Sequence, residues 1–208
     1  MDNTRRTLIK AAGIGACALC AAPAVVDAAP AEAAQAVIDN ILTRRSVRSF
    51  SIEPVSEEAI ETMLQCAMAA PSAANEQPWD FVVIRDAETM EKIASINKYA
   101  RFAAMAPLGI LVCMNNEKVK IGGMSVLDMG MASENLMLAA HALGLGSVFT
   151  GIFPMEDRIK AFRELFDLPA AVVPMGLIIV GHPTDPSSKT APERFKRENI
   201  HLEKWGGK

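Results

Sequence analysis

The chain is poor in the residues and motifs that mark the commonest catalytic and nucleotide-binding sites. It has three histidines and one tyrosine in 208 residues. The histidines, His141, His182 and His201, are scattered, and no His/Cys cluster has the spacing of metal ligands. The motifs G-x-G-x-x-G, G-x-x-x-x-G-K-[ST] and G-x-S-x-G do not occur. The sequence therefore gives no signature of a metal centre, a Rossmann dinucleotide site, a P-loop or a nucleophile elbow.

An excess of positive charge is also lacking. The net charge is −3, which gives no indication of a nucleic-acid surface. Half of the residues are hydrophobic, enough for one core in a chain of single-domain length. Cys17 and Cys20 form a CxxC inside an apolar N-terminal stretch, where a redox role is poorly supported. Cys66 and Cys113 are predicted to be buried free thiols.

The N-terminus predicts an export signal. Residues 4–10 carry the pair Arg5–Arg6 and precede an Ala-rich apolar stretch at 11–26, too short and too rich in small residues for a spanning helix. A charged start, an apolar middle and a small-residue end are typical of a signal peptide. The arginine pair resembles a twin-arginine signal, which would export the protein already folded.

We therefore expect residues 1–28 to be the signal and 29–208 the mature domain, exported to the periplasm and without a stable membrane span. An ordinary secretory signal is one alternative, and a lipoprotein signal at Cys17 is another. If the signal interpretation is wrong, the protein is cytoplasmic.

Hydrophobic periodicity predicts alternating helices and strands. Helices are expected at 33–43, from 56 to about 68 with Ser56 as N-cap, at 87–96 after an Asp86 cap, at 126–143 and at 155–166. Strands are expected at 79–85, 108–114, 147–150 and 172–180, with a bulge or edge at Pro174. The pattern alone indicates an α/β or α+β fold. The helix at 126–143 is apolar nearly all round, which favours a subunit interface in so small a domain.

Two segments carry the candidate chemistry. Residues 44–48, RRSVR, place three guanidinium groups and a hydroxyl within five residues, and residues 71–79, PSAANEQPW, form a turn rich in small and amide side chains that leads into a strand. Arginine meets phosphate oxygens with two parallel donors. The two segments together could hold a phosphorylated, planar ligand. The alternative is that RRSVR is only a solvated helix end whose charges suit the helix dipole.

Together these segments resemble the nitroreductase family of FMN-dependent oxidoreductases. Further matches are DMGMASENL at 128–136, LGLGS at 143–147, and the tail with Arg194, His201 and Trp205, so that the resemblance covers about residues 37–205. It implies an α+β fold with a mixed, mostly antiparallel sheet and helices on both faces. It also implies a homodimer with two FMN sites at the interface.

The resemblance assigns cofactor-binding roles to twelve residues. Those expected at the FMN phosphate and ribityl chain are Arg44, Arg45, Ser46 and Arg48, with Arg194 and Lys196 closing from the tail. Those expected beside the flavin from the neighbouring subunit are Pro71, Ser72, Ala73 and Asn75, and those beside flavin N5 are Thr150 and Gly151. Gln77 and Trp79 are interpreted as structural, and Asn75 could simply form the turn.

The implied activity is transfer of a hydride through flavin N5 to a small electron-poor acceptor, a nitroaromatic or a quinone, by a ping-pong mechanism. No catalytic side chain is expected, because the cofactor supplies the chemistry. NAD(P)H is the implied reductant, although export would favour another donor such as a quinol or a redox protein. A non-enzymatic flavin carrier or electron-transfer partner is the main alternative. An exported structural domain without cofactor is the other.

Overall fold

The computed structural model describes residues 31–185 and 193–207. This part of the chain contains five α-helices and four β-strands. The helices are α1 (Ala31–Thr43), α2 (Glu57–Met68), α3 (Ala87–Ile96), α4 (Ser125–Ala142) and α5 (Glu156–Leu165). The strands are β1 (Trp79–Ile84), β2 (Leu108–Asn115), β3 (Gly146–Gly151) and β4 (Val172–Gly181). Short 3₁₀ turns lie at Ala73–Asn75, Lys98–Met105 and Arg197–Asn199.

The strands form one sheet in the order β1-β2-β4-β3, with every neighbouring pair antiparallel. An isolated parallel bridge joins Ser46 to Ser147 on β3. The β2–β4 register shifts so that Val112 faces Gly176 while Cys113 faces Pro174. Pro174 cannot donate to the ladder, so the bulge forms where it was predicted. The predicted fold class, α+β with a mostly antiparallel sheet, is confirmed.

Each face of the sheet has its own hydrophobic core. Side chains of α2 and α4 pack on one face, with Met63, Met129 and Leu136 fully or almost fully buried. Side chains of α3 and α5 pack on the other, with Ile93 and Phe162 completely buried. Helices therefore cover both faces, and the two central strands, β2 and β4, are continuous apolar runs because both of their faces are buried.

The helix ends follow the predicted signals. The Ser56 Oγ accepts from the Ala59 amide at 3.2 Å, and Asp86 accepts from the Thr89 amide at 2.8 Å. Two hydrogen bonds from Thr89 hold the pKa of the Asp86 carboxyl below its usual range. Gly144, two residues after the end of α4, has a φ of 77°, a conformation that favours glycine.

Among the described residues, no helix is both long and apolar enough to cross a membrane. The predicted signal at 1–28 lies outside the described residues. Both described cysteines are free thiols, as predicted, although Cys66 is only half-buried. Burial, with Asp80 nearby, raises the pKa of the Cys113 thiol to about 12.

Candidate functional site

The basic segment at residues 44–48 lies against the beginning of β3. The Val47 amide donates to the Ser147 carbonyl at 3.0 Å, beside the Ser46–Ser147 bridge. Val47 is buried, and a Cβ on Gly146 would lie only 2.7 Å from its side chain. The glycine therefore permits the basic segment to approach the strand, and this contact fixes the position of the arginines on either side of Val47.

The arginines of this segment have different environments. Arg44 donates through Nε to Glu134 on α4 at 2.9 Å. Arg45 donates through Nη1 to the Arg44 carbonyl at 2.8 Å, whereas its buried Nη2 has no hydrogen-bond partner in the described structure. Ser46 and Arg48 are exposed. The segment thus presents one buried guanidinium nitrogen and one exposed cation free to bind an anion.

A second buried polar group without a hydrogen-bond partner in the described part of the chain belongs to a residue that lines the same cavity as Arg45. The hydroxyl of Ser147 is buried and likewise lacks a partner among the described residues. Arg45, Ser147, Thr43 and His141 line a common cavity of about 340 Å³. Buried polar groups are normally hydrogen-bonded, so two unpaired donors on residues that line one cavity make this cavity a candidate site for an anionic ligand.

The far end of β3 carries the residues expected at the flavin ring. The Thr150 hydroxyl donates to the Leu177 carbonyl at 3.1 Å, while the Gly151 carbonyl accepts from Arg158 Nη1 at 3.0 Å. The same guanidinium lies 5.2 Å from the centre of the exposed Tyr99 ring. Ser147 and Gly151 are four residues apart, which is about 13 Å along a strand.

The turn from Pro71 to Asn75 has unusual backbone geometry. Ala74, Asn75 and Gln77 have φ values of 49°, 55° and 50°. Asparagine tolerates this region, whereas alanine and glutamine rarely adopt it. The Ala73 amide donates to the buried Asp128 carboxylate at 3.1 Å. Strained turns held by buried contacts are common at functional sites.

Other contacts orient the polar groups of this turn. Ser72 Oγ accepts from the Gln77 amide at 3.0 Å, and Asn75 Oδ1 accepts from Gln77 Nε2 at 3.0 Å. These contacts agree with a structural role for Gln77, whose side-chain amide donates to the Asn75 carbonyl oxygen. Pro71 is exposed.

Within one chain, the turn and the basic segment contact different parts of α4 and of the sheet. The turn contacts Asp128 near the start of α4, whereas the basic segment contacts Glu134 in the middle of this helix and lies beside His141 near its end. Asp128 and His141 are thirteen residues apart, roughly 20 Å along the helix, whereas Asp128 and Glu134 are six residues apart, roughly 9 Å. The turn also leads into β1, at the opposite edge of the sheet from β3.

The tail residues Arg194 and Lys196 are exposed and follow the undescribed residues 186–192. Sequence reasoning missed His141, Ser147, Asp128 and Arg158. A charged Asp128 within an apolar helix was a usable signal for one of these. No group of three or more His, Cys, Asp or Glu residues in the described ranges could hold a metal ion.

Comparison with known proteins agrees with this architecture. The family model named Nitroreductase family matches residues 41–116 and 95–182. A protein of Methanothermobacter thermautotrophicus, named as a candidate NADH dehydrogenase/NAD(P)H nitroreductase, is 43% identical over 170 residues, which cover 81% of this chain and 87% of the relative.

Solved structures show the same fold. A candidate NADH oxidase from Clostridium acetobutylicum superposes with a TM-score of 0.77 at 41% identity, covering 79% of this chain and 99% of the other. A candidate nitroreductase from Desulfovibrio desulfuricans, solved in complex with FMN, gives a TM-score of 0.69 at 32% identity, covering 81% and 96%. The chain described here belongs to the nitroreductase family.

Proposed function

We propose that this protein is an FMN-dependent oxidoreductase that uses NAD(P)H or another reductant to reduce small electron-poor acceptors, and that it works as a homodimer. The observation that carries the proposal is the arrangement of two groups of residues along β3. Arg45 and Ser147, whose buried donors have no hydrogen-bond partner in the described structure, lie at its beginning, and Gly151 lies about 13 Å away at its end. A cofactor with an anionic end and a planar end fits that arrangement. The Desulfovibrio desulfuricans structure, which is in complex with FMN, supports the choice of FMN.

The phosphate end fits the first cluster. Arg45 Nη2 and Ser147 Oγ are donors that lack acceptors, and Arg48 adds an exposed positive charge. A charge-assisted hydrogen bond to phosphate stabilises the complex by roughly 1.5–3 kcal/mol. Arg44 is paired with Glu134. We therefore propose that Arg44 positions the basic segment on α4 and also adds positive charge near the phosphate. Arg194 and Lys196 of the tail are proposed to close on the same phosphate.

The ring end fits the Thr150–Gly151 segment. When bound, FMN supplies a ring that takes up a hydride from a reductant and delivers it to an acceptor. Gly151 lets the main chain approach that ring closely, because it has no side chain. Its carbonyl is fixed by Arg158, and the Thr150 hydroxyl is fixed by Leu177, so the peptide groups between them are held in place. A preorganised amide can stabilise developing negative charge without rearranging.

The second subunit is proposed to complete each site. In one chain the turn at Pro71, Ser72, Ala73 and Asn75 leads into β1, whereas the arginines lie beside β3 at the other edge of the sheet, so we propose that the turn of one copy faces the arginines of the other. Exposed apolar side chains on α1 and α4 provide a surface for a second copy, and these are Val37, Ile38, Ile41, Leu42, Leu127 and Met131. An apolar helix face that is left exposed is the kind of surface that a protein interface covers.

Cofactor binding can be tested directly on the purified protein. Arg45→Gln should weaken FMN binding about ten- to a hundredfold, because one charge-assisted contact is lost. Arg85→Gln is the matched control, since Arg85 is exposed and pairs with Glu57 at a distance from the pocket. Fluorescence titration of the apoprotein measures both. A wild-type protein that fails to bind FMN would contradict the proposal.

Reaction kinetics distinguish the enzyme from a flavin carrier. Anaerobic NADH or NADPH should bleach the bound flavin, and a nitroaromatic or quinone should restore its colour. Reduction by a protein partner but by no nicotinamide would favour the carrier instead. The physiological reductant and acceptor follow from a series of such half-reactions.

Export is a separate part of the proposal and rests on residues 1–28. Arg5 and Arg6 followed by an apolar stretch support a twin-arginine signal and a mature domain at 29–208. Changing both arginines to lysine should trap a precursor in the cytoplasm. Unchanged processing and export would contradict this part alone.

A further inference from the structure

We propose that the imidazole of His141 forms part of the pocket that receives the FMN phosphate, and that it takes up a proton when the phosphate binds. The inference rests on the proposed FMN function and adds a residue and a proton to it. His141 is near the end of α4, and it lines the same cavity as Arg45 and Ser147.

The hydrogen bonds around Thr43 determine which imidazole nitrogen can titrate. The Thr43 hydroxyl donates its single proton to the Asp39 carbonyl, one turn earlier on α1. The same oxygen lies 2.9 Å from His141 Nε2 and must therefore accept from it. Neutral His141 thus carries its proton on Nε2. The unprotonated nitrogen, Nδ1, is the one that gains a proton when the ring becomes charged.

The charges near the ring oppose protonation while the pocket holds no anion. Burial, followed by Arg44 and Arg45, lowers the pKa of His141 from its ordinary value. Glu134 on α4 is engaged by Arg44. Asp39 and Cys66 line the neighbouring groove on the other side of His141, and Asp39 accepts a hydrogen bond from Gln35. The two arginines are thus the charges that act on the ring.

A bound phosphate reverses this balance. It brings close to two negative charges at neutral pH and offsets the arginines. The imidazolium is then favoured, because an opposite charge nearby raises the pKa of a base. Between the pKa of the free protein and that of the complex, binding must take up protons. FMN affinity therefore contains a component that increases as the pH falls through that window.

The matched variant is His141→Gln. Glutamine can still donate an amide proton to Thr43, but it does not titrate. FMN itself has a phosphate pKa near 6, and both proteins experience that effect equally. We compare the FMN affinity of the wild type with that of the variant at pH 8 and at pH 5.5. The ratio of the two affinities should be larger at pH 5.5, by up to about tenfold for each unit by which FMN raises the pKa of His141. Riboflavin, which lacks the phosphate, should show no such change.

The decisive readout is the titration of His141 itself by NMR, with its resonance identified by its loss in His141→Gln. Calorimetry in two buffers of different ionisation enthalpy then counts the protons taken up. A raised His141 midpoint in the FMN complex, with proton uptake that the variant lacks, is the expected result. If FMN binds and the midpoint is unchanged or lower, the inference is wrong while the proposed function stands. If FMN does not bind to the wild type, the proposed function itself fails and the inference falls with it.

Discussion

Helices α1 and α2 have similar lengths and similar apolar faces, yet only α2 buries its apolar face within the chain. Helix α2 buries Ile60, Met63 and Ala67 against α4 and the sheet. Helix α1 buries none of its residues, and Val37 and Ile41 remain 62% and 54% exposed. It contacts α4 through polar groups, with Asn40 donating to the Leu138 carbonyl at 3.1 Å. One apolar face therefore stabilises the monomer, while the other is available to a second subunit.

The largest effect is expected from the buried face of α2. Met63→Ala should lower the free energy of unfolding by about 2–5 kcal/mol, because it removes a fully buried side chain and leaves a cavity. Met68→Ala is the matched control at the end of the same helix, where the side chain is 50% exposed. Urea denaturation should place the control within about 0.5 kcal/mol of wild type. Equal losses in both variants would contradict the packing described here.

A smaller effect, dependent on protein concentration, is expected from the exposed face of α1. Ile41→Gln should weaken dimer formation by about 1.5–3 kcal/mol, since two half-exposed isoleucines lose their apolar contacts in a symmetric interface. That corresponds to roughly a ten- to hundredfold rise in the dissociation constant. Sedimentation velocity over a dilution series measures it.

Ile52→Gln provides the control for this variant, because Ile52 is 85% exposed but lies outside α1. An unchanged dimer in Ile41→Gln, or equal weakening in both variants, would argue against α1 as the interface.

The cap of α2 should matter less than its core. Ser56→Ala removes the side-chain acceptor of the Ala59 amide and should cost about 1 kcal/mol of unfolding free energy. Ser95→Ala is a useful comparison, since its hydroxyl only donates to the Glu91 carbonyl on the exposed side of α3. Thermal unfolding of both variants tests whether capping, rather than loss of a hydroxyl, carries the effect.

The smallest effect is expected on the pH dependence of stability, through His141, which lies where α4 contacts Thr43 of α1. Because the pKa of His141 is lowered in the folded apoprotein, the unfolded chain binds more protons below its ordinary value. Acidification through that range should therefore destabilise the wild-type apoprotein relative to His141→Gln, while the difference between the two stays independent of pH above that range. Melting temperatures at pH 8 and pH 5.5 test this, and a constant difference would show that His141 does not titrate as described.

Much of the fold was predictable because its signals are local. Ser56 and Asp86 cap the helices they were expected to cap, and Pro174 lies at a bulge because a proline cannot complete the ladder. The candidate pocket was less predictable. Its cavity joins Thr43, His141 and Ser147, and only tertiary packing brings these residues together. The left-handed φ of Ala74 also carries no sequence signal, since alanine does not favour it.

Each FMN site is proposed to take its arginines from one copy of the chain and its strained turn from the other. Chains with two different tags, one carrying Arg45→Gln and Arg48→Gln and the other Pro71→Trp, can be coexpressed and the mixed dimers isolated. In such a dimer one site has both defects and the other has neither. We predict that the mixed dimer regains one tightly bound FMN per two chains, while each parent homodimer binds weakly. A mixed dimer that binds no better than its parents would contradict the account.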